Sequence, residues 1–370
     1  MRSNNVLGFI FAATLDDKIP ELASSRTTAS VPIGGKYRII DFDLSNMSNS
    51  GISNVGIVAK SNFQSLMDHV GSGSAYDLSK RRSNLSILPP YDGKAFSSFV
   101  ETIYNMHGYI EHCREEYVLI SQGNVITNID YTDVFDFHSK KKADITLIYK
   151  NHAIPQGYDR PITLDVDNDG KVNQIFVKPG VVDKGVFNHA YGSILIKKDL
   201  LMSEIRNAIS VNQLDVRRLI QSSLGKYSIY AYENKGYCAA ISSINDYFEF
   251  NMDLMKKEVR DELFNPQRPI YTNVRDDAPS RYGLTSNVKN SIIAQGCVIN
   301  GDVENCVISK GVYVGEGAKL SNCIVMQDTK IGCNTNLNYV IIDKDVTIKD
   351  GRSLMGYDSY PIYIAKKSVV

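Results

Sequence analysis

Hydrophobic and polar positions over the first 250 residues follow two alternating patterns. Short, nearly continuous apolar runs predict buried strands at six places: VLGFIFAA at 6–13, VGIVA at 55–59, YVLIS at 117–121, ADITLIY at 143–149, GSILIK at 192–197 and YSIYAY at 227–232. Between them, apolar residues recur every three or four positions, which predicts amphipathic helices. These helices are FQSLMDHV at 63–70, VETIYNMHGYIEHC at 100–113 and DLLMSEIRNAI at 199–209. Alternating strands and helices predict an α/β domain with a mostly parallel sheet that binds ligands at the carboxyl ends of its strands.

The pattern changes after Phe264. Residues 265–283 contain prolines and charges with little periodicity, which predicts a linker. Aliphatic residues then recur every sixth position, and each series repeats 17 residues later: Ile308, Val314 and Leu320; Val325, Ile331 and Leu337; Ile342 and Ile348. Such spacing between Gly, Asn and Asp is typical of a hexapeptide parallel β-helix. The sequence therefore divides into an α/β domain (1–250), a helix and linker (251–285) and a β-helix (286–370).

The six cysteines form no CxxC pair and no compact cluster. This spacing is typical of reduced, packed thiols rather than of a disulfide framework or a zinc site. The pair Asn305-Cys306 recurs 17 residues later as Asn322-Cys323. We therefore expect the two cysteines to stack inside the β-helix as small core residues.

Composition excludes two classes of partner. The chain has 370 residues, with 41 basic and 41 acidic side chains, so its net charge gives no general attraction to nucleic acid or anionic lipid. The longest apolar run, 6–15, is too short to span a bilayer and is interpreted as a first buried strand rather than as a signal peptide. We expect a cytoplasmic protein with no nucleic-acid or membrane partner.

Two motifs are weak guides to function. Asp165, Asp167 and Asp169 match the first half of a calcium loop, but the position of the bidentate glutamate holds Phe176. This motif is interpreted as a β-hairpin with an Asp-Gly turn. No histidine follows His189, so the β-helix lacks the base that an acyltransferase of this kind needs. The β-helix is therefore expected to be structural or an interface.

Residues 30–58, SVPIGGKYRIIDFDLSNMSNSGISNVGIV, closely resemble the ADP-glucose pyrophosphorylases, which are sugar-nucleotide pyrophosphorylases of glycogen synthesis. GVYVGEGAKL at 311–320 and IIDKDV at 341–346 are similar to that family's C-terminal domain. The resemblance covers essentially the whole chain. It implies a Rossmann-like nucleotidyltransferase domain of the GT-A-like type, with a mixed sheet, followed by a left-handed parallel β-helix. The family makes ADP-glucose and pyrophosphate from ATP and glucose-1-phosphate.

The chain departs from that family where the resemblance places the triphosphate. The glycine-rich loop GGxGTR aligns with Ala13–Lys18, which contains no glycine and carries Asp16 and Asp17. Lys18 aligns with the arginine of that loop, and Thr28 aligns with the lysine of the family's Lys-Pro pair. Side chains and negative charge are therefore expected where a triphosphate must lie.

The two metal-binding aspartates implied by the resemblance are also replaced, by Asn124 and Ala240. An amide is a weaker magnesium ligand than a carboxylate. A Gly-Thr pair of the sugar loop becomes Ser98-Phe99, while Lys178 remains as a sugar-phosphate contact. The degenerate positions are Ala13, Thr14, Lys18, Thr28, Asn124 and Ala240. We expect no catalytic residue, no metal and no cofactor in this chain.

The combination resembles the noncatalytic D-type subunit of Gram-positive bacteria. It implies a heterotetramer with a catalytic subunit that carries the Mg²⁺. Homo-oligomers of this chain alone are a further possibility. By the resemblance, Lys36 and Arg38 are candidates for binding an anionic sugar-phosphate effector, or else are surface or interface charges. Two alternatives remain: a weakly active nucleotidyltransferase with a displaced metal site at Asp130 or Asp246, and a stand-alone sugar-phosphate or nucleotide sensor.

Overall fold

A computed structural model describes residues 5–13, 16–60, 62–79, 84–89, 98–153, 161–177, 185–274 and 276–370. The strands of the N-terminal domain are β1 (Val6–Phe11), β2 (Pro32–Ile33), β3 (Tyr37–Arg38), β4 (Asn54–Val58), β5 (Asn84–Leu88), β6 (Tyr117–Gln122), β7 (Val125–Thr127), β8 (Ile145–Ala153), β9 (Ile162–Val166), β10 (Val172–Val177), β11 (Val186–Lys197), β12 (Ile229–Glu233) and β13 (Cys238–Ala240). The six strands predicted from apolar runs are confirmed as β1, β4, β6, β8, β11 and β12.

The helices are α1 (Pro20–Ala23), α2 (Ile39–Asn49), α3 (Gln64–Val70), α4 (Phe99–Asn105), α5 (His107–His112), α6 (Tyr131–Lys141), α7 (Lys198–Ser210), α8 (Val216–Ser222), α9 (Ile244–Asp253) and α10 (Lys257–Leu263). A short 3₁₀ turn spans Thr28–Ser30 and another spans Ser74–Tyr76. The predicted helix at 100–113 is divided into α4 and α5 at Met106. Within the described ranges, no helix is long and apolar enough to cross a membrane.

The main sheet of the described chain has nine strands, in the order β10-β9-β11-β6-β1-β4-β5, with β8 paired to β11 and β12 paired to β8. Strands β6, β1, β4 and β5 are parallel, whereas β11 runs antiparallel to both β6 and β8. Helices α4 and α7 pack on one face of the sheet, and α2 and α6 pack on the other. The sheet is therefore mixed and covered on both faces, as the resemblance implied.

The DVDNDG motif forms the turn between β9 and β10. The Asp167 carboxylate accepts hydrogen bonds from the backbone N–H of Asp169 and of Lys171, at 2.8 and 2.9 Å. Gly170 has a φ of 85°, which favours glycine. The predicted hairpin is confirmed, and its aspartates order a turn instead of forming half of a calcium loop.

The C-terminal domain consists of three five-stranded parallel sheets. Their strands are β14 (Arg281–Tyr282), β15 (Asn287–Lys289), β16 (Ile292–Ile293), β17 (Val298–Ile299), β18 (Asp302–Glu304), β19 (Val307–Ile308), β20 (Tyr313–Val314), β21 (Lys319–Ser321), β22 (Ile324–Val325), β23 (Lys330–Ile331), β24 (Asn336–Asn338), β25 (Val340–Ile342), β26 (Thr347–Ile348), β27 (Ser353–Met355) and β28 (Ile362–Ile364).

The 17-residue offset of the sequence is the register between successive coils. Ile308 lies opposite Val325, and Val325 lies opposite Ile342, in one of the three sheets. All eight periodic aliphatic residues are at most 1 % exposed. The hexapeptide β-helix predicted from the repeat is confirmed.

The recurring Asn-Cys pair lies at one corner of the coil. Asn305 and Asn322 both adopt left-handed backbone, with φ of 51° and 52°, which asparagine tolerates better than most residues. Cys306 and Cys323 are fully buried, and the Cys323 N–H donates to the Cys306 sulfur at 3.3 Å. The predicted stacking of these cysteines is confirmed.

The two domains share an apolar core and one buried ion pair. Ile33 and Ile39 of the first domain belong to the same buried cluster as Val307, Ile324 and Ile341 of the β-helix. Within this interface, the Arg26 guanidinium donates to both carboxylate oxygens of Asp343 at 2.7 Å. Both side chains are 2 % exposed, so the pair is shielded from water and from salt.

The Asp343 carboxylate has two further donors. The Tyr363 hydroxyl donates to Asp343 Oδ2 and the Lys344 N–H donates to Asp343 Oδ1, both at 2.6 Å. A buried charge is tolerated only when its partners satisfy it in this way. The position of the first domain on the β-helix is therefore fixed by charge as well as by apolar contact.

Arg26→Met leaves the Asp343 carboxylate buried without its cation, so we expect the free energy of unfolding to fall by about 3–5 kcal/mol. Arg206→Met breaks an exposed ion pair with Glu111 and serves as the control, with an expected loss of about 0–1 kcal/mol. Urea unfolding followed by circular dichroism measures both losses. Equal losses in the two variants would show that the buried pair does not hold the domains together.

Candidate functional site

The loop that follows β1 closes on the turn at Thr28–Ser30. Asp16 Oδ1 accepts hydrogen bonds from the Thr28 N–H and from the Thr28 hydroxyl, both at 2.7 Å. Burial raises the pKa of the Asp16 carboxyl against the opposing effect of these bonds. No described residue donates to Asp16 Oδ2, which is also buried. Thr28, one of the degenerate positions, is therefore bound to a carboxylate in the loop that the resemblance expects to hold phosphates.

The other degenerate positions of this loop contribute less. Ala13 is buried at the end of the strand, whereas Lys18 is exposed. Thr14 lies outside the described residues, as does Lys178, the expected sugar-phosphate contact.

Gly123 brings the end of β6 against this loop. A Cβ at Gly123 would lie 2.9 Å from the Phe11 carbonyl oxygen and 3.0 Å from the Ala29 Cβ. Any larger residue would separate the three segments. The residues aligned with the phosphate loop and with the first metal aspartate are therefore neighbours.

The two expected metal positions, Asn124 and Ala240, lie on paired segments. Strand β7 pairs with β13, with Val125 opposite Ala240. Beside this pair, the Asn124 amide donates to the Ile241 carbonyl at 3.2 Å, and the Ile241 N–H donates to the Asn124 carbonyl at 2.9 Å. Ala240 packs against Val125 and Tyr191. Asn124 and Ala240 thus lie on adjacent segments of the chain's fold.

The residues at this place do not fit Mg²⁺. They offer one buried amide and one methyl group, whereas Mg²⁺ is usually held through carboxylates. Nowhere in the described part of the chain do three or more His, Cys, Asp or Glu side chains gather so that they could hold a metal.

The two aspartates considered as a displaced site have local roles. Asp130 Oδ1 accepts the Thr132 N–H at 2.9 Å and caps α6. Asp246 Oδ2 accepts the N–H and the hydroxyl of Ser242, at 2.9 and 2.5 Å. Asp130 and Asp246 thus cap and close turns, and neither belongs to a metal-ligating group.

A cluster of aromatic side chains that sequence reasoning missed lies beside Ala240. The His152 and Tyr191 rings stack at 5.2 Å, and the Tyr191 hydroxyl hydrogen-bonds His152 Nε2. His189 lies 4.6 Å from the Tyr191 ring. Burial lowers the pKa of His152 to about 4 and that of His189 to about 3, so both are neutral at pH 7. The only signal in the sequence is the spacing of 189 and 191, which places both residues on one face of a strand.

A second group of residues, the interdomain cationic pocket, is built on the GGK turn. Gly34 and Gly35 have φ of 55° and 81°, and a Cβ at Gly35 would lie 3.4 Å from the Ile308 carbonyl oxygen. The turn between β2 and β3 therefore lies directly on the β-helix. A cavity of about 210 Å³ forms there, and both Lys36 and Arg38 line it.

The β-helix contributes two further cations, Lys310 and Lys344. These lysines are 34 residues apart, with Gln327 halfway between them, so the 17-residue repeat stacks all three side chains in one column along the pocket. Sequence reasoning missed them, although the repeat contained the signal. Four cations thus face a pocket in which Asp68 is the one carboxylate among the lining residues that the structure describes.

Two of these cations are oriented by contacts. The Arg38 Nη1 donates to the Ser65 carbonyl and hydroxyl at 2.6 and 2.9 Å, and the Lys36 ammonium lies 4.7 Å from the Tyr37 ring. Burial, together with Arg38 and Arg26, lowers the pKa of Lys344 to about 7. A bound anion would reduce the electrostatic repulsion among these cations, so the pocket favours small polyanions.

Comparison with known proteins places the chain in a family. A profile described as nucleotidyl transferase matches residues 17–257, and one described as GlmU-like, C-terminal hexapeptide matches residues 277–360. The glycogen biosynthesis protein GlgD of Bacillus subtilis is 32 % identical over 99 % of this chain and 97 % of its own length. GlgD of Geobacillus stearothermophilus is 37 % identical over 85 % of this chain and 83 % of its own length.

A glucose-1-phosphate adenylyltransferase of Clostridium acetobutylicum is also 32 % identical, over 85 % of this chain and 84 % of its own length. Overall sequence identity therefore does not tell whether the chain is more similar to the GlgD proteins or to the adenylyltransferases. Only the residues of the site can distinguish the two. The chain belongs to the glucose-1-phosphate adenylyltransferase, or ADP-glucose pyrophosphorylase, family of nucleotidyl transferases, and among its relatives are the GlgD proteins of glycogen biosynthesis.

Proposed function

We propose that the chain is a noncatalytic, regulatory subunit of a hetero-oligomeric glucose-1-phosphate adenylyltransferase that serves glycogen synthesis. The observation that carries the proposal is the pairing of Asn124 with the Ala240 segment, where the resemblance implies two metal carboxylates. A catalytic paralogue supplies the Mg²⁺ and the chemistry. This chain changes the turnover of the paralogue or its response to an effector.

The inactive state is argued from the requirements of nucleotidyl transfer. The reaction needs cations on the phosphates and a metal that neutralises the charge developing on the leaving pyrophosphate. Here the Asp16 carboxylate lies in the phosphate loop and is hydrogen-bonded to Thr28, so it cannot turn away without breaking two bonds. The neutral cluster around Tyr191 supplies no charge to replace the missing one.

The regulatory role is argued from the interdomain cationic pocket. Lys36, Arg38, Lys310 and Lys344 converge from both domains on a cavity large enough for a small anion. A sugar phosphate bound there contacts the β2–β3 turn and the β-helix at once. Such a ligand couples the two domains, and through an interface with the partner subunit it shifts the partner between two states.

Kinetics of a co-expressed catalytic paralogue, with and without this chain, test the role. We expect assembly with the chain to change the paralogue's turnover or its activation by a panel of sugar phosphates. Lys36→Gln and Lys344→Met should weaken the effector response by roughly tenfold each, since each removes a charge-assisted contact. Lys330→Gln, an exposed change elsewhere on the β-helix, should leave it unchanged.

Failure of the two proteins to co-purify, or identical kinetics with and without the chain, would contradict the regulatory role. Sugar-phosphate binding by the chain under those conditions would favour a stand-alone sensor.

Sulfate binding by the purified chain should weaken as pH rises from about 6.5 to about 8.5, by up to about tenfold per pH unit above 7. Sulfate keeps its charge over this range, whereas Lys344, whose pKa is lowered to about 7, loses its proton and with it the attraction for the anion. Calorimetric titration measures the affinity. Lys344→Met should bind sulfate more weakly and with a flat pH profile. The same slope in that variant would contradict the role of Lys344.

A further inference from the structure

A second cavity, of about 680 Å³, is larger than the interdomain cationic pocket and takes no part in the proposed function. It lies between α6, the β9–β10 turn, the segment after β12 and Arg268. These segments are distant in the chain. Folding brings these segments of the α/β domain together with Arg268 of the linker.

The walls of this cavity are fixed by hydrogen bonds. The Ala231 N–H donates to the Gly170 carbonyl at 2.8 Å, which holds the β9–β10 turn against β12. The Asn234 amide donates to the Thr127 hydroxyl at 2.8 Å, and the Lys150 ammonium donates to the Lys235 carbonyl at 2.7 Å. A ligand would therefore enter a preformed site and lose little free energy in ordering it.

The described lining of the cavity includes three aromatic rings, those of Phe137, Tyr149 and Tyr232. All three are partly exposed, and Phe137 and Tyr232 meet edge to face with centroids 5.6 Å apart. Exposed rings that converge on one cavity offer flat apolar surfaces to a ligand. Such surfaces fit the C–H faces of sugar rings.

The charges around the rings exclude a phosphate ligand. Among the described residues, five carboxylates and three cations line the cavity: Asp130, Asp133, Asp167, Asp169 and Glu233; Lys141, Lys235 and Arg268. Lys141 pairs with Asp169, and Arg268 lies 4.0 Å from Asp130. The surplus is negative, so an anion is repelled.

The surplus of carboxylates attracts a cation, but the chain's own cations already answer part of that charge. Lys141 pairs with Asp169 and lies 5.9 Å from the centroid of the Phe137 ring, and Arg268 lies 4.0 Å from Asp130. A neutral ligand that accepts and donates many hydrogen bonds uses the remaining carboxylates as acceptors and leaves these pairs in place.

Asn128 fixes one wall of the cavity. This residue lines the cavity and is 7 % exposed, and its amide donates to the Leu263 and Arg268 carbonyls at 2.8 and 2.9 Å. These bonds hold the segment that carries Arg268 against the sheet domain, so this wall is in place before a ligand binds.

We propose that this cavity binds a neutral oligosaccharide. The rings of Tyr232 and Tyr149 stack on sugar faces, while exposed polar side chains such as Glu233 and Asn168 exchange hydrogen bonds with the hydroxyls. The occupant is a chain of sugars, since the cavity lies in the range of drug-sized ligands and exceeds what a single anion needs.

Calorimetric titration of the full chain with maltotetraose tests the proposal, with cellotetraose and xylotetraose as further probes. The choice of maltotetraose as first probe rests on the proposed function, but the site itself does not. We expect saturable binding of at least one of these sugars. Tyr232→Ala should raise its Kd by at least about tenfold, and Tyr232→Phe, which keeps the ring, should restore most of the affinity.

Tyr360→Ala, an exposed change on the β-helix, is the matched control and should leave the Kd unchanged. Equal melting temperatures of the variants show that the loss is not one of folding. The proposal is overturned if none of the three sugars binds, if spermidine binds in their place, or if Tyr232→Ala and Tyr360→Ala bind alike. The experiment uses the chain without a catalytic partner, so its failure is distinct from failure of the regulatory role.

Discussion

The buried ion pair between Arg26 and Asp343 is the contact on which the arrangement of the two domains depends. Its two charges are stable out of water only because each satisfies the other and because Tyr363 and Lys344 donate to the same carboxylate. Together with the shared apolar core, the pair holds the first domain on the β-helix, where the GGK turn and the β-helix form the interdomain cationic pocket. Arg26 in turn contributes to the low pKa of Lys344. The interface and the proposed effector site therefore share one electrostatic network.

The motif that most clearly indicated the family serves this interface rather than the reaction. Gly35 allows the turn to touch the β-helix, and the buried Asp41 carboxylate accepts hydrogen bonds from the Arg38 N–H, His69 and Tyr76. None of these contacts involves the places aligned with the metal. The interface contacts and the positions that the resemblance aligns with the metal are physically separate, so a change at Asn124 or Ala240 leaves the contacts of residues 30–58 in place.

Most of the fold could be predicted from local periodicity. The 17-residue offset became the register of the β-helix, and the apolar runs became strands of the main sheet. The candidate site was less accessible, because its contacts join distant segments. The bond between Asp16 and Thr28 and the stack of His152 on Tyr191 follow from tertiary packing alone. The 17-residue repeat could have predicted that Lys310 and Lys344 stack on one side of the β-helix. That they line a pocket could not be predicted, because the opposite wall is the GGK turn of the other domain.

Pyrophosphate release by the purified chain, supplied with ATP, glucose-1-phosphate and Mg²⁺, is the most direct test of whether the chain lacks nucleotidyltransferase activity. The account predicts no release above the rate without protein, both for the chain as it is and for Asn124→Asp. The single carboxylate would still face Ala240, and the Asp16 carboxylate would remain in the phosphate loop. Turnover by either protein at the rate of a catalytic relative would contradict it.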